Sequence, residues 1–158
     1  MKNNLLTLTL SIMVLLCATN TCSALAPFKK AFDENYVKSS GNDALRAAFK
    51  SASCNTCHVK GKKKDWLNGY GVQLAKSITG NAKDRLAMAK AISSDAQKSE
   101  NEKLLTELKK AFKTAEAKKS PSGPLFGALI SESILPSAAG AKSIRSEDFD
   151  ADSKSQTK

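Results

Sequence analysis

The chain has 158 residues, room for one small domain with a removable leader and a tail. Its formal charge of +10 admits anionic partners, but aromatics make up only 6% of residues, too few for a base-stacking platform on single-stranded nucleic acid. Four cysteines are present, two of them inside the leader, which excludes a disulfide framework stapling the fold.

Residues 1–26 read as a secretory signal peptide. Lys2 supplies the positive start, Leu5 to Cys17 an apolar run, and the small residues Ser23, Ala24 and Ala26 follow, with the cut after Ala24 or Ala26. The run is shorter than the roughly 20 apolar residues of a membrane span, so no stable span remains once the signal is removed. An uncleaved anchor is the weaker reading, and so is a lipoprotein at Cys22, because Thr19-Asn20-Thr21 is too polar for a lipid-attachment box. Export, here to the periplasm, disfavours nucleic acid as a partner.

Residues 27–136 are expected to fold as one helical domain, with no strand-period run. Phe28, Phe32 and Tyr36 give a first helix an aromatic stripe. Asn42 or Asp43 can cap a second, in which Leu45, Ala48, Phe49 and Ala52 share a face. A third is expected from near Asp65, with Trp66, Tyr70, Leu74 and Ile78 in one row and Gly80 as its stop. A fourth spans about Ala82 to Ala96. Ser99-Glu100-Asn101-Glu102 has the form of a capping box and predicts the start of a fifth, with Leu104, Leu105, Leu108, Ala111, Phe112 and Ala115 inward. Pro121 to Pro124 is a turn, and Leu125 to Ile130 a short last helix. Residues 137–158 shift to Ala, Ser, Gly, Lys and Asp and read as a disordered polar tail, with too few apolar residues to offset ordering entropy.

Between the second and third helices lies Cys54-Asn55-Thr56-Cys57-His58, a C-x-x-C-H pentapeptide. This is the attachment signature of c-type haem. Two thiols three residues apart sit on neighbouring edges of one turn and can each add across a haem vinyl group. The adjacent histidine then offers its imidazole to the iron, its other nitrogen usually donating to a backbone carbonyl, which fixes the tautomer. C-x-x-C alone is shared with redox dithiols and zinc knuckles. His58 is the only histidine of the chain, and no second cysteine pair remains after the leader to complete a tetrahedral zinc site. The helical background also lacks the βαβ context of a thioredoxin-like motif. A dithiol protein without haem stays as a third reading.

From Phe28 to Pro136 the chain resembles a small class I-like cytochrome c domain. Asn68-Gly69-Tyr70-Gly71 and Phe126-Gly127-Ala128-Leu129-Ile130 are similar to patterns in short exported cytochrome-like proteins. The resemblance implies an all-α bundle of about five to six helices around one covalent haem c. It gives Cys54 and Cys57 the thioethers and His58 the axial iron bond.

The sixth iron ligand is open at this point. The only methionine after the leader is Met88, inside a helical pattern where it can equally fill a gap in the core. A lysine, water or an empty position are the alternatives; a second histidine is excluded. Lys60, Lys62, Lys63 and Lys64 follow the motif and can steer an acidic redox partner, or form a solvated loop. Trp66 and Tyr70 can pack on a porphyrin or in the core. No paired carboxylates, nucleophile–base set or phosphate loop stands out, so no catalytic residue is assigned. A peroxidase-like activity lacks a distal histidine. The expectation is an electron carrier outside the cytoplasm, with a haem-based ligand binder or sensor as the alternative.

Overall fold

A computed structural model describes residues 26–138 and 144–145, and they are mostly helical. The signal-peptide expectation for residues 1–26 lies outside them except for Ala26. Helix α1 (Ala26–Phe32) continues as a wider π-helical turn over Asp33–Lys38. Helix α2 (Asp43–Ala52) is capped by Asn42, whose Oδ1 accepts from the Ala44 and Leu45 amides at 2.9 and 3.1 Å. A 3-10 turn, Ser53–Thr56, opens the pentapeptide. Then come a two-residue strand β1 (Trp66–Leu67), α3 (Gly69–Ser77), α4 (Ala82–Ile92), α5 (Ser94–Glu116) and α6 (Phe126–Ser131). A 3-10 turn at Pro136–Ala138 follows. Ile144–Arg145, within the segment read as a tail, form strand β2, antiparallel to β1 with Leu67 opposite Ile144.

Three boundaries differ from the sequence expectation, the first being that α4 ends at Ile92 rather than near Ala96. Helix α3 starts at Gly69 rather than near Asp65, because Asn68 is extended and caps it, which leaves Trp66 in β1. Tyr70, Leu74 and Ile78 keep their shared buried side. Helix α5 starts after Ser93, whose Oγ accepts from the Ala96 amide at 3.0 Å. Ser99-Glu100-Asn101-Glu102 is therefore interior to a helix of 23 residues. Glu100 faces α4 there, where it accepts from Arg85 Nε at 2.7 Å.

The core gathers around α5, which contacts α1, α3, α4 and α6. Leu104, Leu108, Ala111, Phe112 and Ala115 recur at helical spacing and are all buried. Large side chains of this kind each stabilise by roughly 1.5–3 kcal/mol on burial. The aromatic stripe of the first segment meets them: Phe32 lies 5.2 Å from Phe49 and 6.1 Å edge-on to Phe112, and Tyr36 lies 5.3 Å from Phe112. Among the described residues, no helix is long and apolar enough to cross a membrane.

Candidate functional site

The pentapeptide is shaped by its backbone. Ser53, at the end of α2, takes φ +48 and ψ −118, a conformation that costs an L-residue roughly 1–3 kcal/mol and recurs at functional sites. It turns the chain sharply into Cys54. The amides of Cys57 and His58 both donate to the Cys54 carbonyl, at 3.3 and 3.1 Å, and close the turn. The chain then folds back as a tight hairpin. Val59 donates to the Trp66 carbonyl at 3.0 Å, His58 bridges Leu67, and Gly61 supplies the left-handed residue of the tip.

This geometry brings Cys54, Cys57 and His58 to one cleft of about 430 Å³. That volume lies within the range of roughly 300–1,000 Å³ typical of small-molecule and cofactor sites. Phe28, Phe32, Phe49, Leu74 and Ile78 give the cleft apolar walls, while Lys29, Lys64, Asp65 and Lys83 add charge to its lining. Arg85 fixes the far wall. Its guanidinium holds Glu107 through two nitrogens at 2.8 and 3.0 Å and donates to the Thr79 carbonyl at 2.7 Å, which ties the 78–81 loop and α4 to α5.

The chemistry of the donors is distinctive. Burial, then the Lys64 cation, hold His58 below the ordinary histidine range, so its ring is neutral near pH 7 and can offer a lone pair. The carbonyls of Trp66 and Lys64 and the Asp65 carboxylate offset part of that shift. Cys57 borders the cleft half-buried, and burial pushes its thiol up to about 12. No disulfide joins it to Cys54. Four buried side-chain polar atoms among the described residues lack a hydrogen-bond partner: Thr56 Oγ1, His58 Nδ1, Asp65 Oδ1 and the Tyr70 hydroxyl. The first three belong to residues of the cleft lining. Native interiors leave few such atoms, so their concentration here marks a place that polar groups of a ligand or water would complete. Two thiols, one neutral imidazole and apolar walls fit a covalently held haem. Among the described residues no group of three or more His, Cys, Asp or Glu converges to hold a bare metal ion.

Other sequence candidates fall elsewhere. Lys60, Lys62 and Lys63 are exposed on the hairpin tip, and Lys64 joins the cleft lining while donating to Asn55 Oδ1 at 2.9 Å. Met88 is 68% exposed on α4 and does not line the cleft, because its helix turns Ala82 and Ala89 inward instead. Neither Trp66 nor Tyr70 lines the cleft. Tyr70 is fully buried, with Phe126 at 5.2 Å, so its role is core packing. Sequence reasoning missed Ser53, Lys29, Asn81 and Lys83 as cleft residues. Three of them come from segments far from the motif, and nothing local marks them.

Comparison with known proteins gives no relative: no family model, curated protein or solved structure matches this chain.

Proposed function

We propose that the chain is an exported, cytochrome c-like electron carrier that attaches one haem c through Cys54 and Cys57, with His58 as axial iron ligand. The observation that carries this reading is the convergence of both thiols and the chain's only imidazole on one apolar cleft of cofactor size. When bound, haem supplies an iron centre that exchanges single electrons. The chain's own residues do the rest. Phe28, Phe49, Leu74 and Ile78 exclude water, and neutral His58 offers its lone pair. The exposed lysines at 60, 62 and 63 present positive charge to an acidic redox partner beside the cleft.

A dithiol–disulfide function without haem is less well supported, because the helical surroundings of Cys54 and Cys57 lack the βαβ context of thioredoxin-like C-x-x-C pairs. A second haem-based reading has one observation in its favour. With Met88 exposed and off the cleft, no methionine among the described residues lines it; unless Lys29, Lys64 or Lys83 of the lining took the sixth position, a bound haem would leave that position open to a small diatomic ligand.

The test is periplasmic expression with haem-maturation machinery, followed by the pyridine haemochrome spectrum. A c-type spectrum supports attachment; its absence rejects it. Spectra of the reduced protein with and without carbon monoxide then separate the two haem readings. Rapid binding favours the ligand binder, and no binding favours the simple carrier.

A further inference from the structure

The pentapeptide is gripped from outside by the first turn of α3. Asn68 is buried, and its amide side chain works in two directions. Its Oδ1 caps α3, accepting from the Tyr70 and Gly71 amides at 3.1 and 3.0 Å. Its Nδ2 donates to the Thr56 carbonyl at 2.9 Å and to the Asn55 carbonyl at 3.3 Å. Its backbone amide donates to the Cys57 carbonyl at 3.0 Å. Three consecutive carbonyls of the motif thus end on one residue. Gly71 makes the approach possible. A Cβ at that position would lie 2.1 Å from the Cys57 carbonyl oxygen, well inside any tolerable contact, and that oxygen belongs to backbone that cannot swing aside.

Helix capping alone requires only the acceptor Oδ1 of Asn68, and it places no demand on Gly71. The donor half of the side chain and the missing Cβ both act on the haem-motif turn, in the stretch where Ser53 holds a strained conformation. From this geometry we infer that Asn68 and Gly71 are positioning residues: a clamp that fixes the Cys54–His58 turn so that both thiols and the imidazole face the cleft. The inference rests on the haem reading for its purpose, though the clamp itself can be measured with or without haem.

Asn68→Asp and Asn68→Ser separate the two jobs of the side chain. Both keep a good N-cap acceptor and lose the two-hydrogen Nδ2 that donates to the Asn55 and Thr56 carbonyls; the aspartate carboxylate keeps no donor at all, and serine keeps a single hydroxyl proton. Hydrogen–deuterium exchange is followed by mass spectrometry in wild type and in both variants, all expressed with the maturation machinery. Exchange across residues 53–59 should rise about tenfold, the factor carried by one typical hydrogen bond, while residues 104–116 of α5 stay unchanged. In haem-loaded protein the reduction midpoint should move as well, and Gly71→Ala should lower the yield of covalent haem more than either Asn68 variant. Unchanged exchange at 53–59 in both variants overturns the clamp. So does an equal rise in α5, which would show that the variants loosen the whole fold and not the turn. A wild-type midpoint in a variant with a loosened turn removes the role toward the cofactor. If wild-type protein carries no haem, the haem reading fails, and the exchange comparison still decides whether the turn is clamped.

Discussion

At the scale of single residues, the site depends on backbone placement as much as on reactive side chains. Ser53 illustrates this. Its φ of +48 suits glycine, which adopts that region without the penalty of a Cβ. Ser53→Gly should relieve roughly 1–3 kcal/mol of strain and lose about 0.5–1 kcal/mol through added freedom of the unfolded chain. A net gain of about 1 kcal/mol is expected, read as a Tm higher by about 4 °C; a lower Tm would show that the conformation is not strained. Met88 makes the opposite point. A sequence position says little about where a methionine faces on an amphipathic helix, and at 68% exposure this one is on the outside. Met88→Ala should leave the visible spectra of both redox states unchanged, and a spectral shift would restore Met88 as a ligand. That Cys54, Cys57 and His58 share one cleft was legible, because contiguous spacing sets them on one turn. The clamp was not, since Asn68 and Gly71 act across a hairpin and spacing alone does not reveal a close approach.

At the scale of elements, the starts of α2 and α4, each capped by an asparagine, were legible. Asn42, Asn68 and Asn81 each accept from two amides at a helix start. The misplaced starts follow from competing local signals. Trp66 continues the apolar row of α3, but the extended Asn68 ends that row at Tyr70. Ser99 to Glu102 satisfies the capping-box pattern, but Ser93 caps first and the helix runs on through good helix formers. Tertiary pairing adds to this, since Glu100 and Glu107 both hold Arg85. Arg85 beside Glu107 keeps that carboxyl below its usual range. A depressed carboxylate stabilises the fold above its unfolded pKa, near 4.3, and loses that contribution as pH falls through its folded value. Glu107→Gln should therefore cost about 1 kcal/mol at pH 7, and the gap should close during acid titration below about pH 4. Denaturant unfolding across pH reads this directly; a gap that stays constant to pH 2 contradicts it.

At the scale of the molecule, a basic chain presents its densest lysine run on a hairpin beside the cleft. Charge of this kind acts on encounter more than on final affinity. Replacing Lys60, Lys62 and Lys63 by Glu should slow reduction by an acidic partner about tenfold at low salt. The difference should fade toward 0.5 M salt, where screening shortens to a few ångströms, roughly 4 Å. Rates independent of both salt and charge would remove the docking role. The all-α class was legible from periodicity, whereas the assembly of the cleft from α1, α2, α3 and the 78–83 segment was not. Those contacts are distant in sequence, and only the packing of aromatics around Phe32 and α5 brings them together.

The central claim is covalent haem at one turn, and intact mass measured after acid–acetone extraction tests it most directly. Wild-type protein matured in the periplasm should keep the added mass of one haem through extraction. Cys54→Ser/Cys57→Ser should lose it while retaining its helical circular dichroism. A wild-type mass equal to the bare processed chain, obtained alongside a control cytochrome that is fully loaded, would contradict the account.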